Sequence, residues 1–251
     1  MKTVFFASAA LAALIAAPAF AQDTTGSVGL SYQNNSTEVY NYDFDSDVLQ
    51  LDGVVATPIF GDWTVTAAAN VTYVDGDITG EETKLSGAVA LTKAIGKFRV
   101  GGFYSGEEFY GTTVNTFGAV AQSYHNRMTF TGQLEYSTVY DIDAWSLKGD
   151  AAYYPTQNLR LNAGLQVQQI DTRWDDSEAL YANIGAEYQI ATSPYSVFAN
   201  YTYTENDDTH YEENSIKVGL RYSFGGNLQA RDRSGARIDF RNNYPISMIA
   251  L

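Results

Sequence analysis

The sequence predicts an all-β chain: a single antiparallel up-and-down transmembrane β-barrel of about 12 strands, with short periplasmic turns and long acidic extracellular loops. Three observations carry that expectation. Hydrophobicity alternates with period two from Gly26 onward, the connections between alternating segments sort into short and long, and aromatic residues collect at segment ends.

The chain opens on Met1-Lys2, a short positive start, followed by an apolar run from Val4 to Ala17. "PAFAQ" then sets Ala19 and Ala21 in an A-x-A cleavage pattern. Residues 1–21 read as a secretory signal peptide, because an anchoring helix needs about 20 apolar residues and different flanks. Cleavage after Ala21 leaves 22–224 for the barrel and 225–251 as a C-terminal tail. There is no cysteine, which excludes a small disulfide-stapled secreted domain. No later apolar run is long enough for a transmembrane helix. Tyr (19), Phe (13) and Gly (21) are abundant, which favours strands with aromatics for an interface belt. A net charge of −14 makes nucleic acid an unsuitable partner.

The alternating segments fall at 27–34, 48–58, 63–74, 84–93, 97–105, 114–124, 128–137, 145–154, 159–169, 179–190, 195–204 and 215–224. In the third, Trp63, Val65, Ala67, Ala69, Val71 and Tyr73 share one face against Thr64, Thr66, Ala68, Asn70 and Thr72. The sixth has a contested phase, because Phe117-Ala119-Ala121 and Val120-Tyr124 compete for the apolar face. In the ninth, Leu159, Leu161, Ala163, Leu165 and Val167 oppose Arg160, Asn162, Gln166 and Gln168. The eleventh sets Tyr195, Val197, Ala199, Tyr201 and Tyr203 against Ser196, Asn200, Thr202 and Thr204. The twelfth directs Ile216, Val218, Leu220, Tyr222 and Phe224 outward and stops on that aromatic.

Short connections, "PIFGD", "KAIGK", "YHNR", "YPTQN" and "ATSP", follow the second, fourth, sixth, eighth and tenth segments and hold Pro58, Pro155 and Pro194. Proline suits a turn and removes a ladder donor within a sheet. Long connections lie at 35–47, 75–83, 106–113, 138–144, 170–178 and 205–214. Most of the 29 acidic residues fall in them, from Glu38, Asp43, Asp45 and Asp47 to Glu205, Asp207, Asp208, Glu212 and Glu213. Solvating charge explains part of this. The one-sidedness also sets a negative potential at the outer mouth. Clustered carboxylates suit divalent cations, which take oxygen ligands, but no loop has a spacing that names a metal site.

On the polar, inward phase stand Lys84, Arg99, Lys148, Arg160, Lys217 and Arg221 against Asp52, Glu135, Asp150 and Glu187. Facing lipid, each would cost up to about 2–4 kcal/mol near the midplane, so the phase assigns them to the lumen. Two outcomes stay open: the charges pair and fill the barrel, or they line a wetted wall that discriminates solutes. A twelve-strand cylinder is wider than the eight-strand case that side chains just fill.

Catalysis is not expected, and no cofactor is implied. Of the two histidines, His125 falls in a short turn and His210 in the acidic run "ENDDTHYEEN". No strand carries a histidine to serve as a base for a nucleophilic serine.

With its signal peptide, its alternating strands and the closing "VGLRYSFGG", the chain resembles bacterial outer-membrane porin-like β-barrels. The continuation "LQARDRSGAR" is similar to the ends of small porin-family proteins of Gram-negative alphaproteobacteria. The resemblance implies an outer-membrane location, contact with lipid and lipopolysaccharide, and passive diffusion of small hydrophilic solutes or ions. The alternative is a non-conducting structural or surface-interaction barrel. Residues 238–251 depart from the family, which finishes shortly after its last strand. The tail, with Arg231, Arg233, Arg237 and Arg241 against Asp232 and Asp239, reads either as a flexible periplasmic extension or as a segment folding back under the barrel.

Overall fold

The computed structural model describes residues 23–77, 80–109, 111–173, 176–190 and 193–240; the expected signal peptide and the end of the tail lie outside them. Twelve antiparallel strands close into one barrel. They are β1 (Thr25–Val39), β2 (Tyr42–Phe60), β3 (Trp63–Gly76), β4 (Gly80–Ile95), β5 (Phe98–Phe109) and β6 (Thr112–His125). The second half comprises β7 (Met128–Val139), β8 (Ile142–Thr156), β9 (Leu159–Asp171), β10 (Asp176–Gln189), β11 (Tyr195–Asn206) and β12 (Tyr211–Phe224). Each strand pairs with its sequence neighbours, and β1 closes on β12 from Gly26↔Phe224 to Val39↔Tyr211. A short helix, α1 (Leu228–Arg233), follows.

The segments expected as long loops are largely strand. β1 and β2 stay in register to Val39↔Tyr42, so the acidic 35–47 stretch is a paired hairpin turning on Tyr40-Asn41. Both turn residues have positive φ, 49° and 66°, the left-handed pair that matches strand twist. Asp43, Asp45 and Asp47 are therefore ladder residues, and the barrel wall continues into its acidic rim. The apolar alternation fades there because both faces of the wall lie outside any apolar layer, whereas backbone pairing needs no such face. Pro58 and Pro155 also lie inside β2 and β8, each at a register shift, Pro58/Phe60 and Tyr153/Thr156. A bulge spares the donor that proline lacks.

The outer face is apolar. Leu30, Leu51, Leu91, Leu134, Leu147, Leu165, Ile184, Ile216 and Leu220 are exposed around it. Aromatics flank the band on both sides: Trp63, Phe98, Tyr153, Tyr195 and Tyr222 near the chain termini, and Tyr32, Tyr73, Tyr136 and Trp145 toward the acidic rim. Neighbouring rings meet across strands, Tyr136 on Trp145 at 5.0 Å and Tyr195 on Tyr222 at 5.6 Å between centroids. An apolar belt between aromatic girdles is the surface of a barrel that sits in a bilayer.

Ile184, 59% exposed within this band, tests that surface. Ile184→Arg should lower stability in lipid vesicles by about 2–4 kcal/mol in urea unfolding, while Glu38→Arg on the rim leaves it unchanged. Equal stability of the two variants would count against a lipid-facing belt.

Candidate functional site: the lumen and the segment inside it

Inward side chains meet a segment of the same chain. Gly225 and Gly226 leave β12 at φ 81° and 135°, a region that favours glycine, and turn the chain under the barrel end. Asn227 caps α1, its side chain accepting from Ala230 N at 2.9 Å. Leu228 packs on Ala152 and Tyr154, and Gln229 donates to Asn126 O at 2.8 Å. Arg233 donates to that same carbonyl and lies over the Tyr124 ring at 5.6 Å. Ser234 Oγ meets Thr25 Oγ1 at 2.5 Å, tying the helix end to β1. Gly235, at φ 92°, then redirects the chain upward into the lumen.

From there the segment alternates. Ile238 and Phe240 join Ala90, Phe103 and Val120 in one buried apolar cluster with Ala88 against it, and the Phe103 and Phe240 ring centroids lie 5.1 Å apart. Arg237 and Asp239 point to the opposite, charged wall, where they reach Glu187 and Lys148. Val120 thus faces the lumen, and Phe117, Ala119 and Ala121 face outward, which settles the phase of the sixth segment. The sequence is ambiguous there because the lumen wall carries an apolar seat, and the seat's occupant is remote in sequence. Gly118 completes the seat: a Cβ at that position would collide with the Phe103 ring. The expected flexible periplasmic extension is therefore not what residues 225–240 form, because their apolar and arginine side chains find partners inside the barrel. Residue 241 onward lies outside the described residues.

The sequence-predicted lumen residues all face inward and fall into distinct groups. Glu187 is the centre of the largest. Its carboxylate accepts from Arg221 at 2.9 Å, Arg231 at 3.3 Å and Arg237 at 2.5 Å, and Ser196 Oγ donates to it at 2.7 Å. Two of those arginines come from the tail, and Arg231 and Glu187 have side chains only 1% and 2% exposed. Arg221 also pairs with Asp52 at 3.5 Å and stacks over Phe198 at 4.5 Å. Asp150 pairs with Arg160 at 3.2 Å, and Arg160 continues through Asn162 to Asn183. Lys217 donates to Gln50 at 3.1 Å. Arg99 donates to Thr92 at 2.8 Å, to Tyr124 at 3.2 Å and to the Arg233 carbonyl at 3.0 Å. Lys148 sits 3.8 Å from Asp239. Lys84, nearer the acidic rim, pairs locally with Glu82 at 3.2 Å. Glu135 is buried, and among the described residues neither of its carboxylate oxygens has a hydrogen-bond partner.

Sequence reasoning missed the tail's half of this network: Arg231 and Arg237 on Glu187, and Asp232 accepting from the Tyr154 hydroxyl at 2.8 Å. The available signal was a basic tail beneath a lumen holding a carboxylate. Between the wall and the tail remains a cavity of about 270 Å³, lined by Asp52, Lys148, Asp150, Arg160, Glu187 and Lys217 among others, with Arg237 to Phe240 along one side. Its lining mixes these charged groups, which are paired or hydrogen-bonded, with small and apolar residues such as Ala68, Ala88 and Ile238, an arrangement that suits a recess or narrow passage for small polar species.

Fold and lumen together define a barrel of the outer-membrane type. Solved structures with this architecture include a NanC porin (TM-score 0.58, 10% identity, covering 78% of this chain and 100% of that one). They also include the CymD monoaromatic hydrocarbon channel (0.57, 9%, 87% and 93%). A third is the translocator domain of the autotransporter NalP from Neisseria meningitidis (0.53, 14%, 87% and 93%). At these identities the likeness is one of fold. No family model matches the chain, and no curated protein sequence matches it.

Removing the central carboxylate tests whether the tail is held as described. Glu187→Gln removes the carboxylate that Arg231 and Arg237 share, leaving Arg221 with Asp52 alone, and should weaken docking of the tail by about 3–5 kcal/mol. Trypsin should then cut after Arg231 and Arg237 in the variant, sites protected in the parent barrel. Equal protection in both would show that the ion cluster does not hold the segment.

Proposed function

We propose that this protein is an outer-membrane channel for passive diffusion of small hydrophilic solutes or ions, narrowed by its own C-terminal segment. The observation that carries this reading is the cavity of about 270 Å³, with paired charged groups in its lining, left between the wall and the tail inside a barrel with an apolar exterior. A barrel serving only as a scaffold has no need of space lined by charge. The signal-peptide pattern and the likeness of "VGLRYSFGG" and "LQARDRSGAR" to small porins support location in the outer membrane of a Gram-negative cell. With the chain termini on the periplasmic side, the carboxylate-rich rim faces outward. There it raises local cation concentration and meets lipopolysaccharide and its divalent counter-ions. Transport, not catalysis, is the activity proposed.

The second reading, a non-conducting barrel, draws on the same tail. Residues 235–240 and the ion pairs around Glu187 take up much of the lumen, and a strong enough seal makes the protein structural. Planar-bilayer recording separates the two. The full chain should give small discrete conductance steps, and a chain lacking 227–251 should give steps several-fold larger. No steps from either chain would sink the channel reading, and equal steps would show that the tail does not narrow the path.

A further inference from the structure

Most cations inside the barrel are paired with a carboxylate: Lys84, Lys148, Arg160, Arg221, Arg231 and Arg237 each have one. Four cations at the barrel end where the chain termini lie do not. Lys93 stands near the end of β4, Lys97 and Arg127 in the β4–β5 and β6–β7 turns, and Arg233 at the end of α1. Among the described residues, none of the four has a carboxylate at ion-pair distance. They also share one arc. The two turns flank the β5–β6 pair, with Tyr124 N donating to Lys97 O at 2.9 Å. Arg233 reaches them from the tail, over the Tyr124 ring and onto the Asn126 carbonyl. The other turns at this end carry no cation: Asp62 stands in the β2–β3 turn, Gln157 and Asn158 in the β8–β9 turn, and 190–194 are uncharged. Charge needed only for solvation has no reason to gather on one arc, and in a chain of net charge −14 this local excess of cations attracts an anion.

Two features of the arc select the class of anion. A recess opens between the two turns, lined by Gly96, Lys97, Tyr124, His125, Asn126 and Arg233, so a small group has room against the cations. The wall beside it is apolar: Ile95, Phe98, Met128 and Phe130 are exposed there, and Lys93 lies over the Trp63 ring at 5.6 Å, within the aromatic girdle. A lysine so placed keeps its stem in the apolar layer and its ammonium at headgroup level. The complementary molecule therefore has an anionic head for the recess and apolar chains for the wall. A phosphodiester head fits, because its oxygens accept from ammonium and guanidinium groups alike. A second ammonium on that head would stand against four cations, so the favoured head is one of net negative charge. Cell-wall carboxylates, which lie in water, would leave the apolar shelf unused.

We propose that the β4–β7 arc of the periplasmic end, completed by Arg233 of the tail, binds the headgroup of an anionic phospholipid in the inner leaflet of the membrane. The inference rests on the outer-membrane location proposed above and is independent of conduction. Native mass spectrometry of the full-length protein in detergent micelles tests it with phosphatidylglycerol and phosphatidylethanolamine of the same acyl chains. Phosphatidylglycerol should bind about tenfold or more tightly, each cation near the surface being worth about fivefold. K97Q/R127Q should remove that preference, while R173Q, which deletes a cation at the opposite end, leaves it intact. Heat-modifiable gel mobility checks folding, and K93Q/K97Q takes the place of the first pair if that variant does not fold. Equal binding of the two lipids, or a preference unchanged in the double variant, would overturn the proposal. Displacement of the lipid by equimolar inorganic phosphate would overturn it in favour of a soluble anion. Co-sedimentation with purified peptidoglycan that is lost in K97Q/R127Q, without any lipid preference, would assign the arc to the cell wall instead. Location is read separately by fractionation of expressing cells, so protein found in the outer membrane without the lipid preference overturns the site alone.

Discussion

A strand surrounded by hydrocarbon must give every peptide N–H and C=O a partner, because no water is there to take the place of a missing one. Closure of β1 on β12 along the register from Gly26↔Phe224 to Val39↔Tyr211 meets that requirement. The remaining architecture follows from it. A closed antiparallel wall with period-two side chains has only an outside and an inside, so apolar residues face out and charged ones share the lumen. Those inward charges, in a confined space, have to find each other or water. Arg160 and Asp150 do so across neighbouring strands, and Arg221 on β12 reaches Asp52 on β2 over Gly29 of β1.

The wall alone leaves Glu187 with one guanidinium at close range, and the tail brings two more. Burial of such a group of charges is costly unless each is compensated, so the tail and the lumen complete one another electrostatically. The apolar contact reinforces this on the opposite side. Phe103 and Val120 would otherwise show hydrocarbon to a wet lumen, and Ile238 with Phe240 covers them. One extended segment, with arginine and aspartate on one edge and isoleucine and phenylalanine on the other, thus matches a lumen charged on one wall and apolar on the other. The fit belongs to an internal component of the barrel, and it sets how much space is left for solute.

Much of the wall was legible in the sequence. Alternation in 63–73, 159–168 and 195–204 depends on each residue's own polarity, and the twelve segments and the inward phase of Lys84, Arg99, Glu135, Lys148, Asp150, Arg160, Glu187, Lys217 and Arg221 follow from it. The acidic hairpin ends were not legible as strand, since pairing beyond the apolar layer leaves no hydrophobic period behind. Pro58 and Pro155 read as turn residues because a bulge that tolerates proline is visible only in the register with the partner strand. By itself, the sequence determined that the chain forms a closed barrel with an apolar outside, because that pattern is local and repeats every two residues. Only the tertiary structure decided that 235–240 lies in the lumen, that Val120 faces it and that Glu187 gathers three arginines. Each of these depends on residues far apart in the chain meeting across a barrel whose width and stagger no local pattern records.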